Sequence, residues 1–395
     1  MNVLHIIATA DPRSGGPIEG ILRQTGALGP RANTTLATID PKDASYLSDV
    51  NVPVLAFGRS GRRYTGKVIP LKYGFSLSYI LWILKNAKNY DAVIVHGLWN
   101  FSTFAASVTL PFLKGVKYFV YTHGMMDPWF RRQYPLKHLF KIVSWLFCEG
   151  RLLRGARAVL FTANEERELA RNQFPLQRYN AVVVGYGTAQ PPVSTNVQEE
   201  ALLAAVPGLR DRRYLLFLSR IHPKKGCDLL VEAFARISEA DPELDLVIAG
   251  PDETGLTPGL KARAEELGVA SRIHWTGMLT GDAKWGAYHG AEAFILPSHQ
   301  ENFGVVVAEA LACGLPVLTT YKVNIWREVE QSGAGFARND DLDGVVSLMK
   351  SWLGSSPQQR DQMRVAAREL FHNQFDVTHV ANRLANFIED ESLAA

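Results

Sequence analysis

Only three cysteines occur among 395 residues, at Cys148, Cys227 and Cys313. Odd in number and far apart, they argue against a disulfide framework or a closed zinc site and favour a reducing compartment. No apolar run reaches the roughly eighteen residues that a bilayer-spanning helix needs. The opening stretch, MNVLHIIATADP, has no basic segment ahead of its apolar run, so it reads as a first strand and not as a signal peptide. No G-x-G-x-x-G follows that strand, which disfavours a dehydrogenase. Signatures of RNA recognition, such as an aromatic RNP pattern, are also missing, so nucleic acid is not an expected partner.

What is present is ordinary in bulk and uneven in detail. The chain is 47% hydrophobic and 21% charged, as globular proteins are, and its length is about twice that of a typical domain. Net charge is +3. Residues 1–190 hold 23 Lys and Arg against 11 Asp and Glu, a balance of +12, while residues 191–395 hold 19 against 28, a balance of −9. A basic half on its own implies an anionic partner, such as membrane lipid, nucleic acid or a phosphorylated substrate.

Strand-like apolar runs alternate with helix-length segments. In the first half they lie at 3–7, 34–39, 52–57, 92–97, 118–124, 158–163 and 181–187, and in the second at 214–220, 244–250, 272–277, 293–298 and 315–320. The runs are continuous and β-branched, as parallel strands buried on both faces are. The pattern predicts an α/β protein of two Rossmann-like, doubly wound domains, residues 1–190 and 212–370. The polar, Pro-rich 191–211 reads as a linker, and 371–395 as a terminal helix that crosses back to the first domain. Ligands of such sheets bind at the carboxyl ends of strands, so two domains would present those edges across a cleft. The residues just past the strands are therefore the candidates: Gly15, Gly16, His96, His123, Arg220, Gly250, Gly277 and Glu301.

Two stretches carry chemistry. HQENFGVVVAEALACGLPVL (299–318) sets Glu301 at a strand-to-helix turn, Gly304 at the helix start and Glu309 inside the helix, about 8 Å beyond Gly304 along the axis. A helix start offers unpaired N–H groups to phosphate. Carboxylates on either side would accept from hydroxyls, a pattern that suits a ligand with hydroxyls at both ends and phosphate between, a nucleotide-sugar. The structural alternative makes Glu309 a solvated helix residue and Glu301 a partner of the helix dipole. In YLLFLSRIHPKKGCDLL (214–230), Arg220 and Lys225 suit a diphosphate, Arg as a fork and Lys as a point charge. The alternative is two surface cations in a basic loop.

SRIHPKKG, VIAGPDE (247–253), IHWTGML (273–279) and E-x7-E from Glu301 to Glu309 together resemble retaining glycosyltransferases of the GT-B fold, family GT4, over nearly the whole chain. The resemblance implies an N-terminal acceptor-binding domain and a C-terminal domain for the nucleotide-sugar. Arg220 and Lys225 would neutralise the donor diphosphate, Glu309 would hold the ribose and face it instead of a core, and Glu301 would touch the sugar. Backbone amides of Asn302, Phe303, Gly304 and Val305 would serve sugar and phosphates, and Met278 and Leu279 the base. In the first half, ATADPRSGGP (8–17) resembles a glycine-rich loop in which Gly16 nears the phosphate. THGMMDPWF (122–130) resembles a motif whose histidine, His123, lies by the reacting sugar. VHGLWN (95–100) resembles a segment lining the acceptor side, where His96 and Asp127 are expected.

Two departures stand out. ENFG replaces the family's common EGFG, which alters the sugar contacts expected at Asn302, and VVVGYGT (182–188) replaces the usual Pro-Asn-Gly turn. D-L-D at 341–343 reads as a helix cap and not as a metal motif, so no metal and no cofactor is expected. The basic, amphipathic 129–156 reads either as a face for an anionic membrane or as a helix packed on its own sheet. The expectation is thus a cytoplasmic enzyme, peripheral on the membrane face, that moves a sugar to a lipid-linked or oligosaccharide acceptor. A sugar-nucleotide epimerase is the rival among enzymes and an anion-binding protein the rival outside them.

Overall fold

The computed structural model describes residues 1–59 and 74–390. They form two compact units: Met1–Gly187 with Val377–Ala395, and Thr188–Asp376. In the first, strands β1 (Asn2–Ile6), β2 (Asn33–Pro41), β3 (Val54–Gly58), β4 (Ala92–His96), β5 (Tyr118–Tyr121), β6 (Ala158–Phe161) and β7 (Ala181–Val183) make a parallel sheet in the order β3-β2-β1-β4-β5-β6-β7. In the second, β8 (Arg213–Leu218), β9 (Leu244–Ala249), β10 (Ile273–Gly277), β11 (Ala293–Leu296), β12 (Val317–Thr320) and β13 (Gly335–Arg338) make a parallel sheet in the order β10-β9-β8-β11-β12-β13. Each order reverses once, between β1 and β4 and between β8 and β11. A crevice opens at the carboxyl ends of such a pair, because the connections leave it on opposite faces of the sheet.

Central strands explain their own sequences. Every residue of β4, β9 and β11 is buried, as helices on both sides of a parallel sheet require. The edge strand β13, GFAR, alternates between buried and half-exposed positions and pairs only with β12. Too short and too polar to show as an apolar run, it is the strand that the sequence reading misses. The 191–211 stretch holds a helix, Asn196–Ala205, started by a capping box between Thr195 and Gln198. Asp341 caps the helix Leu342–Leu353 by accepting from the amide of Gly344.

The terminal helix Val377–Glu389 belongs to the first unit; residues 391–395 of the expected segment lie outside the described residues. Leu384, Phe387 and Ile388 join Phe119, Tyr121 and Leu160 in one core cluster, each worth about 1.5–3 kcal/mol if fully buried. The Arg31 guanidinium reaches Asn382, Asn386 and Glu389 at 2.9, 2.5 and 2.7 Å.

Candidate active site

The second unit gathers its candidates along one sheet edge. The loop after β8 turns through Gly226, whose φ of +64° is left-handed and where a Cβ would meet the carbonyl oxygen of Pro297 at 2.2 Å. Only glycine lets that loop press against the loop after β11. The two are then stitched: the His299 amide donates to the carbonyl of Lys224 at 2.8 Å, and Lys224 Nζ donates to Gln300 at 3.2 Å. Lys225, 9% exposed, thereby lays its ammonium on Oε2 of Glu301. Glu301 is fixed in turn by its amide, which donates to the carbonyl of Lys322.

Gly250 does the same work one strand over. With φ of +147° and a Cβ that would meet the Ser219 carbonyl oxygen at 1.8 Å, it draws the end of β9 onto the residue before Arg220. Its amide donates to the carbonyl of Gly277 at the end of β10, next to exposed Met278 and buried Leu279. Arg220 is 60% exposed at the side chain and bonds Glu253 at 2.9 Å, an exposed pair worth about 0–1 kcal/mol. Gly304 caps the helix Val305–Ala312. Phe303 points its ring into the interior, edge-on to Phe375, so only its backbone can serve a ligand. The Asn302 side-chain oxygen accepts from Asn324.

Glu309 corrects an expectation. It is 4% exposed and is not clear of the core. Lys284 bonds its Oε2 at 2.8 Å, and the Tyr288 hydroxyl donates to the same oxygen at 3.1 Å. Oε1 makes no hydrogen bond among the described residues. Lys284 and Tyr288 come from the helix Gly281–Gly290, one turn apart on one face. They are what allows a carboxylate inside this apolar helix, and nothing in the local sequence around Glu309 names them.

In the first unit, Gly16 begins the helix Gly16–Leu28, exposed, with open space where a Cβ would stand. His96, expected on the acceptor side, is 4% exposed and has both ring nitrogens engaged: Nε2 with Nδ1 of His5, and Nδ1 with Nε2 of His123, each at 2.9 Å. It has no nitrogen left for an acceptor. Asp127 accepts from the amide of Trp129 and caps the helix Pro128–Gln133. His123, half-buried, adopts a left-handed φ of +49° just past β5.

That strained turn is held by Glu166, which the sequence reading passed over. Its buried carboxylate accepts from the hydroxyl of Thr122, the amide of Gly124, and both the amide and hydroxyl of Thr162, at 2.6–2.8 Å. The only signal would have been a carboxylate just past the end of β6. Burial holds all three imidazoles below the usual histidine range, His5 at about 3 and His123 at about 4, with His96 lowered further by its two neighbours.

The family model "Glycosyl transferase 4-like domain" matches residues 15–187 and "Glycosyl transferases group 1" matches residues 198–370. A D-inositol 3-phosphate glycosyltransferase of Thermomonospora curvata is 34% identical over 169 residues, covering 40% of this chain and 38% of that protein. Mannosylfructose-phosphate synthase of Agrobacterium fabrum is 31% identical over 146 residues, covering 35% and 32%. The matches thus span less than two fifths of the curated relatives' length. Among solved structures, Anabaena HepE in complex with UDP has a TM-score of 0.76 at 16% identity, over 98% of this chain and 100% of that one. Sucrose-phosphate synthase from Thermosynechococcus elongatus has 0.75 at 19%, over 100% of both. With two parallel α/β units, matched in turn by both family models, the chain belongs to the GT4-type glycosyltransferases of the GT-B fold.

Proposed function

We propose that this protein is a retaining glycosyltransferase that moves a sugar from a nucleoside-diphosphate-sugar to a hydroxyl of a lipid-linked glycan, in the building of a surface polysaccharide. The observation that carries the reading is the contact of Lys225 with Glu301 at the β8/β11 reversal, beside the start of the helix Val305–Ala312. A diphosphate that takes Lys225 would release Glu301 to the hydroxyls of the attached sugar. Lys225 thereby exchanges one counter-ion for another, while Glu301, without its ammonium, would be held by hydrogen bonds from those hydroxyls. Oε1 of Glu309 is the oxygen left for a ribose diol, since Lys284 and Tyr288 both use Oε2. The HepE structures with UDP and with UDP-glucose lend support to a nucleotide-sugar donor.

In this reaction the bond from the anomeric carbon to the phosphate oxygen breaks. The acceptor oxygen bonds that carbon on the same face, and the acceptor proton passes to the leaving phosphate. Arg220 and Lys225 oppose the charge that grows on the diphosphate, and no divalent metal is called for.

The lipid-linked acceptor rests on the first unit. No helix among the described residues is long and apolar enough to cross a membrane. Yet the helix Pro135–Ser144 and the turn after it expose Leu136, Leu139, Phe140, Val143 and Phe147, spaced three or four residues apart along one face. Exposed Arg131, Lys137, Arg151 and Arg154 accompany them. An apolar stripe with cations suits an anionic membrane surface.

Incubation with UDP-, GDP- and ADP-sugars tests the reading. Slow donor hydrolysis that persists in EDTA, and an acceptor product with the donor's anomeric configuration by proton NMR, are expected. Interconversion of donor sugars would make the protein an epimerase, and inertness to the whole panel would make it a binding protein.

A further inference from the structure

Three histidines lie side by side on neighbouring strands. His5 stands in β1, His96 ends β4, and His123 follows β5 by two residues. Because β1, β4 and β5 are adjacent and parallel, their rings lie edge to edge and nearly coplanar, with centroids 5.1 and 5.2 Å apart and planes within 19°. The Tyr121 ring lies beside those of His96 and His123, nearly parallel to both. Two nitrogen contacts of 2.9 Å join the rings in one line, His5 Nδ1 to His96 Nε2 and His96 Nδ1 to His123 Nε2. His123 Nδ1 makes no hydrogen bond among the described residues, which leaves it for a ligand.

We infer that His5 and His96 are positioning residues that set the tautomer of His123. A neutral imidazole carries one N–H and one bare nitrogen, and each contact in the line needs one of each. If His5 carries its proton on Nδ1, it donates to His96 Nε2. His96 must then carry its proton on Nδ1 and donate to His123 Nε2, and His123 presents Nδ1–H as a donor. If His5 carries its proton on Nε2, every ring follows, and His123 presents Nδ1 bare as an acceptor. Any mixture sets two N–H groups or two lone pairs face to face inside the sheet, where an unmade hydrogen bond is costly. Burial keeps all three rings neutral at pH 7, so the coupling is not relieved by an extra proton. Across two strands, the tautomers of His5 and His123 are therefore tied, and with them the polarity of the free nitrogen of His123. The relevance to catalysis rests on the transferase reading; the coupling itself does not.

Selective 15N labelling of the ten histidines reports the tautomer of each assigned ring. In the unaltered protein His5, His96 and His123 are expected to share one tautomer, and different tautomers within the three would overturn the inference without any activity assay. His5→Phe keeps a planar ring at the end of the line and removes the contact. It should shift His123 to a mixture and lower kcat for the donor about tenfold, with KM little changed. His5→Asn, whose amide can donate or accept near the place of Nδ1, should restore a single His123 tautomer and most of kcat. An unchanged His123 tautomer in a folded His5→Phe protein rejects the coupling. If no sugar is transferred or hydrolysed even by the unaltered protein, the transferase reading fails, while the NMR result still decides the coupling.

Discussion

The two sheets follow one plan and fill it with opposite electrostatics. At the reversal of the first sheet stand neutral imidazoles in a hydrogen-bonded line; at the reversal of the second stand Lys225 and Arg220, each already on a carboxylate. Yet the first half of the sequence is the basic one, at +12, and the second the acidic one, at −9. Net charge thus reports what covers a domain and not what its site contains. Charges on outer helices, such as Lys137 and Arg154, are solvated and accumulate freely. A group at a sheet edge is partly stripped of water, so it is either neutralised, as the histidines are, or paired, as Lys225 is.

Acid should separate the two units most. A buried imidazole that stays neutral in the fold but binds a proton when unfolded makes stability fall as pH drops below the unfolded value of about 6.5. The loss ends only below the folded values, about 3 for His5 and about 4 for His123. By about pH 5 each such ring costs about 2 kcal/mol, several kcal/mol for the three together. Glu149, whose carboxyl burial raises, opposes this by one group. Among second-unit carboxylates, Glu232 and Glu292 have lowered values, and their contribution is lost only below the usual carboxylate range. Hydrogen exchange at pH 7 and pH 5 should show β1, β4 and β5 losing protection before β8 and β11 do. Equal loss in both sheets would mean that the two sheet edges do not differ in their electrostatics.

Removing the cations should come next in size. Lys225→Ala should weaken nucleoside diphosphate binding by roughly 1.5–3 kcal/mol, and Arg220→Ala by the lower end of that range, because its guanidinium stands in water beside Glu253. Calorimetry measures both. His5→Phe, in the other unit, should leave this affinity alone. Unchanged affinity in both cation variants would remove the diphosphate from this edge.

What the sequence made legible follows from range. Buried parallel strands are continuous apolar runs, so they could be read locally, and the strand ends followed. Arg220, Lys225 and Glu301 can therefore be placed at strand ends, although the pairing of Lys225 with Glu301 depends on Gly226 meeting Pro297 across the sheet. Glu309 was found but misjudged in its burial, because Lys284 and Tyr288 lie more than twenty residues upstream and lack a motif. His96 and His123 were visible as strand ends, but their line with His5 exists only in the register of β1, β4 and β5. Glu166 escaped because its four donors come from two loops.

The two acids of the second unit sharpen the contrast within that unit. Glu309→Gln keeps the volume and should weaken free nucleotide and nucleotide-sugar alike, about tenfold, since both carry the ribose. Alanine would be a poorer probe, because it strands Lys284. Glu301→Gln removes the carboxylate that a diphosphate must displace from Lys225, so it should not weaken free nucleotide binding, and it should lower turnover of the nucleotide-sugar, with the loss in kcat if the contact strengthens as charge develops on the sugar. Should Glu301→Gln lose nucleotide affinity as severely as Glu309→Gln, both acids are better described as supports of the loop.

The smallest effect concerns the surface charge that the comparison separates from the sites. If the exposed cations of the first unit serve a membrane, co-sedimentation with vesicles should rise with anionic lipid and fall with salt, because attraction at the surface is screened beyond roughly 8–10 Å at physiological ionic strength. Lys137→Ala should cost about 1 kcal/mol of vesicle binding, near fivefold. Lys141 is a poorer choice: its ammonium lies 3.9 Å from the centre of the Trp99 ring, so its removal also disturbs packing. Exchanging Leu139 and Phe140 for serine should weaken binding to neutral and anionic vesicles alike, since their contribution is apolar. Neither change touches the second unit, so nucleoside diphosphate affinity serves as the internal control. Equal binding to neutral and anionic vesicles, insensitive to salt and to Lys137→Ala, would mean that the +12 balance is a solvated coat and that the apolar stripe meets something other than an anionic membrane.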